Sequence, residues 1–588
     1  MSCDEQKVSA TVQSRVNLGS AREVTWAGIV LTLSALILYL PAAQAADLGP
    51  APDAEEYATT ARNLAHFHAF TISLLNKSYP SRYPFGFPAL LAPSYWLPHA
   101  TLATGIYGVL AFGVAGVVLV YVLARAVMGR AGAIAAAATL LLLPQFIGWT
   151  HEIMSETASI MLTAAAALVL YLTVQVVGDG ARRALVAVLG GIAAVALLVH
   201  SANVILLAAL IPVLVRDRHI RQEPINYGLL FAIGPVVALA GLALYDQLTF
   251  GGVTRTGYAL WVPEWYSSIQ KAFGLRFAIG APGFAGDGIP TDGRPDPPNI
   301  LYYLGSLTGL VPIQGALLLP LQAALALLGC VMLARDQRPA VRALVLFGGL
   351  FSVLTVAFFS LYFFQTVRLL APLAPLAALA VGQAVASCIA FIRVGVADRR
   401  PLLAMLGEAV GFLALASLVV AMPAATGNVY LYANAQHRTV SITGTMNALT
   451  ATTYRNVADR DAMIVTDVNL PFLDDANLTK QHVIISLTGG EYWTKPPLRG
   501  SPILATSTSL VADALRRGRT VLTDDYSVSR LRAQPQLDPA AWRALQVYCL
   551  DTIVTSPVII YRLALSGCTQ VAPTSIATGS GRGSNDVR

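Results

Sequence analysis

The sequence predicts an α-helical membrane protein with many membrane-spanning helices and a small α/β domain at its C-terminal end. Of 588 residues, 55% are hydrophobic and only 12% are charged, and the mean hydropathy is +0.62. A soluble globule of this size needs more polar surface than this composition supplies. Long apolar runs fill the first 425 residues, and short β-branched runs follow them. Together these observations exclude an ordinary soluble protein.

Eleven stretches are nearly free of charge and long enough to cross about 30 Å of hydrocarbon. The predicted spans are residues 25–43, 103–124, 131–149, 156–177, 184–200, 203–216, 226–245, 312–334, 343–361, 369–392 and 402–422. Only "HSAN" separates the fifth from the sixth. We therefore expect a membrane domain over residues 25–425.

Basic residues set the predicted orientation. The N-terminal tail 1–24 and the alternate loops are rich in Lys and Arg, as in Arg125, Arg182 and Arg335, and such loops face the cytoplasm. The long loops 44–102 and 246–311, and everything after residue 425, then lie on the opposite face. Although the net charge is +7, no basic stripe with interleaved aromatic residues occurs, so we expect no nucleic-acid partner.

Residues 426–571 change character. The runs "DAMIVTD", "HVIISL", "RTVLTDD" and "DTIVTS" predict strands and "SLVADALRRG" predicts a helix, which indicates an extracytoplasmic α/β domain. No GxGxxG follows a strand, so nothing indicates nucleotide binding. Cys549 and Cys568 can pair only in an oxidising compartment, and the sequence leaves that pairing open. The tail 572–588 has the composition of a disordered segment.

Ionisable residues are concentrated near the predicted outer face. A channel or transporter usually places such groups at mid-membrane, whereas these spans hold almost none there. The charged residues and histidine at that face are Asp53, Glu55, Glu56, His151, Glu152, Glu156 and Arg368. We therefore expect the chemistry at the outer interface.

The segment "PDAEEYATTARNLA" predicts an interfacial helix. Asp53, Tyr57, Ala61 and Leu64 recur at spacings of four and three and so share one face. Acids in the first turn suit the helix dipole, and Pro52 suits a helix start. Simple capping by Asp53 would explain the acid without any function. The following turn, "SRYPFGFPALLAPSYWLP", is rich in Pro and aromatic residues, as an interfacial anchor or a rigid floor for a lipid would be.

Arg368 is the one cation in the short outer loops. This position runs against the charge bias of such loops. A guanidinium grips phosphate with two hydrogen bonds, so phosphate binding would explain it; contact with lipid headgroups would also do so. Lys77 and Arg82, which flank the aromatic turn, are secondary phosphate candidates, and solvated loop charge is their simpler explanation.

The sequence resembles the GT-C superfamily of membrane glycosyltransferases, in particular the bacterial relatives of protein O-mannosyltransferases and of lipid A aminoarabinose transferases. Five motifs in family order carry the resemblance, which runs over about residues 20–570. They are Asp53 with Tyr57, the turn "RYPFGFPALLAP" with Tyr83, the acid Glu156 in "HEIMSETASIML", Tyr258 in "FGGVTRTGY", and Arg368 in "RLLAPLAP". Four positions depart from the pattern: Phe85, Phe87, His200 and Leu369.

The resemblance implies a GT-C-like fold and an inverting transfer of a sugar from a polyprenyl-phosphate donor. The acceptor would be a glycan, lipid or protein at the extracytoplasmic face of a bacterial inner membrane. Such a reaction needs a base, a charge that stabilises the departing phosphate, and an apolar groove. On this view Asp53 is the candidate base, Glu156 orients the acceptor, and the substrate-binding candidates are Tyr57, Lys77, Arg82, Tyr83, His151, Glu152, Tyr258 and Arg368.

Two matters stay open at this stage. Asp53 and Glu156 could share a divalent cation, Mg²⁺ or Mn²⁺, because hard cations prefer carboxylate oxygens, although nothing in the sequence requires one. A transporter or flippase of a lipid-linked intermediate is the alternative function, and a non-catalytic scaffold is a third. An inverted repeat or acids at mid-span would favour the transporter, and the sequence has neither. The sugar and the acceptor are not encoded in recognisable motifs.

Overall fold

The computed structural model describes residues 21–44, 53–150, 152–285, 296–312, 315–397, 443–489, most of 492–565, and a few positions between 402 and 411. Within these ranges, seven helices are long and apolar enough to cross a membrane, and two shorter apolar helices accompany them. The predicted polytopic helical fold is confirmed. The count of eleven spans stays a prediction, because most of the eleventh span, 402–422, lies outside the described residues. So do most of the tail 1–24, all of 572–588, and the predicted domain boundary at residue 425.

Helices are found at ten of the eleven predicted spans. Their bounds are Ala21–Gln44, Ile106–Leu141, Glu156–Gln175, Asp179–Val199, Val204–Arg216, Pro224–Phe250, Pro320–Arg335, Pro339–Ser360 and Ala374–Ala397. Three of them begin with Pro, whose missing N–H is no loss in the first turn of a helix. Gly251, in the left-handed region at φ 73°, ends the helix Pro224–Phe250.

The second and third predicted spans form one helical hairpin. Gly129 interrupts Ile106–Leu141 with φ 85° and ψ −174°, a conformation that favours glycine. Gly113, before Gly129 in the chain, lies against Phe146 and Thr150, which follow Gly129 at a similar sequence separation. The chain therefore reverses at Gly129, within the basic loop that the sequence predicts between these two spans.

Small residues allow one pair of helices to cross closely. The helices Asp179–Val199 and Pro224–Phe250 meet at Gly190 and Gly234, and a Cβ on Gly190 would lie only 2.3 Å from the carbonyl oxygen of Phe231. Membrane helices lack a hydrophobic drive to associate, so such close backbone packing supplies much of their attraction. An alanine at Gly190 would force these helices apart.

The loops at the site end of the membrane helices are largely ordered. After the first span come the helix Asp53–Phe67, the hairpin β1 (Thr71–Leu74) and β2 (Lys77–Pro80), and the helix Gly86–Leu91. After Phe250 come four short helices, Gly257–Trp261, Pro263–Tyr266, Ile269–Ala272 and Leu275–Ile279. Strand β3 (Phe284–Ala285) then pairs in parallel with β4 (Phe364–Gln365), and the helix Asn299–Thr308 follows β3.

The chain divides into two compact units. The second unit holds residues 446–588 with residues 73–77, and its sheet has the strand order β6-β5-β7-β9-β8. The strands are β5 (Met463–Thr466), β6 (Val483–Ser486), β7 (Val521–Asp524), β8 (Cys549–Val554) and β9 (Ile560–Ala564). The first three are parallel, and β9 runs antiparallel to both β7 and β8.

The predicted α/β character of the C-terminal part is confirmed. Each of the four predicted strand runs overlaps a strand, and the helix Thr508–Arg516 overlaps the run predicted as helical. Strand β9 is not among the predicted strands. Cys549 is disulfide-bonded, and Cys568 lies outside the described residues.

Candidate functional site

Three side chains that the sequence singles out meet at the site end of the membrane helices. Arg368 Nη2 lies 3.7 Å from Asp53 Oδ2, and Arg368 Nε lies 3.9 Å from Glu156 Oε1. The exposed fractions of the three side chains are 18%, 24% and 11% in the order Arg368, Asp53, Glu156. One guanidinium therefore serves two carboxylates that are 103 residues apart in the chain.

Local structure explains how each group reaches this point. Asp53 is the first residue of the helix Asp53–Phe67, and Glu156 is the first residue of Glu156–Gln175. Both carboxylates thus lie at the positive ends of helix dipoles. Arg368 lies in the 3₁₀ helix Val367–Leu373, where the Thr366 hydroxyl accepts a hydrogen bond from the Arg368 backbone N–H. The site is built where the helices begin, and little of it depends on free loop.

A cavity opens beside Arg368 and Glu156. Its other lining residues are Ser155, Ser159, His200, Ala202, Asn203, Ile205, Phe351, Thr355, Phe359, Leu369, Ala371 and Pro372. Among the described residues, Arg368 Nη1, Glu156 Oε2 and Thr355 Oγ1 have no hydrogen-bond partner although all three atoms are buried. Buried polar atoms in folded proteins are normally satisfied, so three orphans in one cavity indicate a place for a polar ligand.

One wall of the cavity is apolar and aromatic. Phe351, Thr355 and Phe359 follow at intervals of four along Pro339–Ser360 and therefore share a helix face. Thr355 is the single hydroxyl on that face, between two phenyl rings. Charged groups and an apolar wall in the same cavity suit a ligand with an anionic head and a hydrocarbon chain.

His200 and Asn203 form the floor near Glu156. The Ala202 backbone N–H donates to His200 Nδ1 at 3.2 Å, which leaves Nε2 as the protonated nitrogen of a neutral ring. Asn203 donates to the carbonyl of Ala196 at 2.9 Å and to Ser159 Oγ at 3.3 Å. These bonds join the end of Asp179–Val199 to the following helix.

Of the neighbouring acids Asp53, Glu55 and Glu56, only Asp53 lies beside Arg368 and Glu156. Glu56 is fully buried and pairs with Arg82, whose Nη2 lies 3.0 Å from Glu56 Oε1. The Arg82 backbone N–H also donates to Glu56 Oε2 at 3.2 Å. Glu55 is fully buried as well. Glu56 thus holds the start of the aromatic turn, while Asp53 faces Arg368.

Tyrosines surround Asp53 on its other side. The ring centroids of Tyr57 and Tyr83 are 4.3 Å apart, those of Tyr83 and Tyr258 are 5.4 Å apart, and those of Tyr258 and Tyr266 are 4.7 Å apart. The hydroxyls of Tyr266 and Tyr362 are in direct contact. We call these five residues the tyrosine cluster.

The electrostatics of the tyrosine cluster keep its hydroxyls protonated. Burial raises the pKa of Tyr57, Tyr83 and Tyr258 well above the usual range, and the negative charge of Asp53 raises each further. Burial likewise raises the pKa of Tyr266 to about 12. Phenols in this state can donate hydrogen bonds to sugar hydroxyls or to phosphate oxygens.

Two glycines allow the aromatic turn to fit. A Cβ on Gly257 would lie 2.3 Å from the carbonyl oxygen of Ser81, and a Cβ on Gly86 would lie 2.3 Å from the backbone of Leu198. Trp261 also donates from its indole N–H to the carbonyl of Pro80 at 2.9 Å. Backbone contact of this kind explains why the motifs around residues 86 and 257 contain glycine.

The remaining candidates are placed as follows. Glu152 lies close enough to Arg368 to interact with its charge. Lys77 begins β2 with an exposed side chain and belongs to the second compact unit. His151 lies outside the described residues. No group of three or more His, Cys, Asp and Glu side chains suited to a metal ion occurs in the described part of the chain.

Sequence reasoning missed several residues of this region. Thr355, Ser159 and Asn203 lie inside or beside apolar runs, where a single small polar residue is common. Tyr362 follows a span and resembles an ordinary interfacial aromatic residue. The signal that could have identified Thr355 is its spacing of four from Phe351 and Phe359, which places the hydroxyl on a helix face that points to Arg368's cavity.

Comparisons with known proteins agree with this layout. Residues 83–243 match the family model described as dolichyl-phosphate-mannose-protein mannosyltransferase. The comparison with curated protein sequences gives no match. The matched residues contain most of the aromatic turn, Glu156 and His200, and they end before Tyr258 and Arg368.

Solved structures match over nearly the whole chain. ArnT from Cupriavidus metallidurans bound to undecaprenyl phosphate has a TM-score of 0.59 at 13% identity, covering 92% of this chain and 99% of ArnT. Its apo state has a TM-score of 0.56 at 13% identity, covering 92% and 98%. The apo oligosaccharyltransferase of Archaeoglobus fulgidus has a TM-score of 0.49 at 13% identity, covering 94% and 75%. The two ArnT matches confirm the predicted resemblance to GT-C membrane glycosyltransferases at the level of the fold.

Proposed function

We propose that this chain, which has the fold of a GT-C membrane glycosyltransferase, moves a sugar from a polyprenyl-phosphate-linked donor to a glycan, lipid or protein acceptor. The observation that carries the proposal is the meeting of Asp53, Glu156 and Arg368, the last two of which line a cavity with an apolar wall. The matched ArnT structure holds undecaprenyl phosphate, which is a ligand with the required shape and charge.

Arg368 is the phosphate ligand in this proposal. Its distances of 3.7 and 3.9 Å to the two carboxylates exceed those of charge-assisted hydrogen bonds, which are roughly 2.7–2.9 Å. The guanidinium is therefore held in place electrostatically while its hydrogen-bonding capacity stays available, and Nη1 has no partner among the described residues. A guanidinium at this point would stabilise the negative charge that grows on the phosphate as the sugar departs.

Asp53 is the base that takes the proton of the acceptor hydroxyl. It is partly exposed, begins a helix and lies between Arg368 and the tyrosine cluster. When phosphate engages Arg368, the carboxylate of Asp53 is released from its only close cation among the described residues. A positioned base of this kind contributes about 10²- to 10⁴-fold to a rate. Glu156 orients the acceptor from the other side of the guanidinium.

The tyrosine cluster binds the sugar. Protonated phenols donate to sugar hydroxyls, and aromatic faces pack against the apolar face of a pyranose. Tyr57, Tyr83 and Tyr258 fill this role, and Tyr266 and Tyr362 extend the same surface. Arg82 positions the turn through Glu56 and remains a secondary candidate for a phosphate contact. Lys77, His151 and Glu152 remain candidates for outer contacts with the substrate.

A divalent cation is not required in this proposal. The guanidinium already occupies the position between two carboxylates that a metal ion would take, and it supplies the positive charge that the leaving phosphate needs. Asp53 and Glu156 alone would offer Mg²⁺ or Mn²⁺ only two protein side chains.

The reaction is placed at the extracytoplasmic face of a bacterial inner membrane, with the N-terminus in the cytoplasm. The support is the distribution of Lys and Arg and the disulfide at Cys549, because disulfides persist in oxidising compartments.

A deletion strain tests the function directly. Lipids and envelope glycans are extracted and compared by mass analysis between wild type, the deletion, and strains that carry Asp53→Asn or the control Asp513→Asn, which changes an exposed acid of the C-terminal unit.

A sugar that is missing in the deletion and in Asp53→Asn, and present in Asp513→Asn, supports the proposal. An unchanged profile in every strain contradicts it. To separate transfer from flipping, the purified chain is mixed in detergent micelles with a lipid extract that carries lipid-linked sugars and with envelope acceptors. Micelles have no second compartment, so an enzyme transfers the sugar there, whereas a flippase leaves the donor intact.

A further inference from the structure

The segment between residues 265 and 284 has a buried face that packs beside the tyrosine cluster. Ala272, Phe277 and Phe363 form a buried cluster, and Trp265 stacks on Phe363 with ring centroids 4.5 Å apart. The Phe363 backbone N–H also donates to the carbonyl of Ala272 at 2.9 Å. Through Tyr266, this segment reaches the tyrosine cluster.

The opposite face of the same segment is apolar and open. Ile269, Leu275 and Ile279 are 73%, 71% and 76% exposed, and Phe284 is also exposed. Leu275 and Ile279 are four residues apart in one short helix, so they point to the same side. Four large apolar side chains within sixteen residues form a patch that water does not favour.

This patch lies at the boundary of the membrane. Its buried face rests on Tyr362 and Phe363, which follow the end of the spanning helix Pro339–Ser360 by two and three residues. At no more than about 3.5 Å per residue, such a short stretch keeps the segment within roughly 10 Å of that helix end. The headgroup region of a bilayer occupies this depth.

The charges on the patch are basic. Lys271 and Arg276 are exposed between the apolar residues. Arg276 lies over the ring of Phe277 at 4.5 Å and donates to the carbonyls of Gln270 and Lys271. Apolar side chains interleaved with basic ones are the pattern of segments that lie in the interface of an anionic membrane.

We propose that residues 265–284 dock onto the bilayer surface at the site end of the helices. Ile269, Leu275 and Ile279 enter the boundary between headgroups and acyl chains, while Lys271 and Arg276 contact anionic headgroups. The docked segment holds Tyr266 against Tyr362 and so fixes one wall of the site relative to the lipid surface. This inference goes beyond the proposed function and does not depend on it.

Spin labels test the docking on the full-length chain in nanodiscs that contain anionic phospholipid. Single cysteines replace Ile269, Leu275 or Ile279, one at a time, in a chain in which Cys3 and Cys330 are changed to Ala; Cys388 is buried and Cys549 is disulfide-bonded. Relaxation by oxygen, which concentrates in lipid, is compared with relaxation by a water-soluble nickel complex. Leu248→Cys, exposed on a spanning helix, gives the lipid reference, and Arg517→Cys gives the aqueous reference.

Labels at 269, 275 and 279 that respond to oxygen nearly as the label at 248 does support the proposal. Labels that respond to the nickel complex as the label at 517 does overturn it, whether or not the chain proves to be a glycosyltransferase. All three substitutions are at exposed positions, so the fold should tolerate them. Size-exclusion profiles of the labelled chains verify this.

Charge provides a second test. In nanodiscs without anionic lipid, the nickel accessibility at residue 279 should rise, and Lys271→Gln should produce a similar rise in anionic nanodiscs. The equilibrium between docked and undocked segments should shift by roughly fivefold for each basic residue removed, since a Lys or Arg near an anionic surface contributes about 1 kcal/mol. Equal accessibility in both lipid compositions would contradict the anionic preference.

Discussion

Acids in the two compact units use their carboxylate oxygens differently. In the C-terminal unit, Asp524 accepts hydrogen bonds of 2.6, 2.8 and 3.1 Å from Thr466, Tyr454 and Ser527, and one of 2.7 Å from the Ser527 backbone N–H. In the membrane unit, Asp53 and Glu156 approach Arg368 only to 3.7 and 3.9 Å. The cavity beside them holds three buried polar atoms without a partner among the described residues.

The difference separates an acid that stabilises the fold from acids that are available to a substrate. A saturated carboxylate lowers the energy of the folded state and has little capacity left for a ligand. An unsaturated buried group costs stability, so its presence at a cavity indicates that something else completes it. We therefore expect mutations at Asp524 to affect folding and mutations at Asp53 to affect turnover.

The largest expected effect is that of Asp53→Asn on transfer. The amide keeps the size of the side chain and removes the base, so the rate should fall by about 10²- to 10⁴-fold. Thermal stability should be nearly unchanged, because Asp53 is partly exposed and its one ion pair is long. Transfer rate and melting temperature of the same preparation are the two measurements. A rate within threefold of wild type would contradict the role of Asp53.

Asp524→Ala should show the opposite pattern. The substitution leaves buried donors from Thr466, Tyr454 and Ser527 without an acceptor, which costs about 1–3 kcal/mol for each group that stays unsatisfied. Hydrogen exchange of strands β5 and β7 in the full-length chain should speed up markedly. Transfer by the fraction that remains folded should stay close to wild type. Unchanged hydrogen exchange would contradict the structural role of Asp524 and its contrast with Asp53.

Thr355→Val should have a smaller effect. Valine keeps the shape and removes the orphan hydroxyl, so a lost neutral hydrogen bond of about 0.5–1.5 kcal/mol predicts a threefold to tenfold rise in KM for the lipid donor. Thr355→Ser restores the hydroxyl and should recover most of the affinity. If valine and serine behave alike, the hydroxyl does not contact the donor.

Removal of divalent metal should have the smallest effect. Since Arg368 supplies the positive charge between the two carboxylates, transfer should continue after dialysis against EDTA, within about twofold of the untreated rate. A loss of activity that Mg²⁺ or Mn²⁺ restores would show that Asp53 and Glu156 share a metal ion.

Much of the fold was predictable because its signals are long. Apolar runs of about twenty residues identify helices that cross a membrane, and the predicted spans overlap the helices even where the short segment Val204–Arg216 follows closely on the one before. Strand β9 was missed because its run "VIIYRLAL" follows β8 after a short turn and was not recognised as a further strand of the predicted domain. The reversal at Gly129 lies in the predicted loop, although the helices continue almost to that residue.

The sequence identifies the charged residues of the site, but it does not show which acid pairs with which arginine. Asp53, Glu156 and Arg368 stand out because charge is rare at a membrane face. Their positions relative to the predicted spans place all three at the same membrane face. Nothing local shows that Glu56 pairs with Arg82, 26 residues away, while Asp53 stays available. That choice depends on how the helix Asp53–Phe67 is rotated. Thr355 stands out only by its spacing of four from Phe351 and Phe359, since a hydroxyl within an apolar helix usually bonds to its own backbone.

The central claim, that Arg368 receives the phosphate of a lipid-linked donor, is tested most directly by binding of undecaprenyl phosphate to the full-length chain in nanodiscs. Wild type and Arg368→Gln are compared, with Arg517→Gln as a control that removes an exposed guanidinium of the C-terminal unit, outside the cavity lining. We expect Arg368→Gln to weaken binding by about 10- to 100-fold, as the loss of a charge-assisted hydrogen bond predicts, and Arg517→Gln to change it by less than threefold. Equal affinity of wild type and Arg368→Gln would contradict the account.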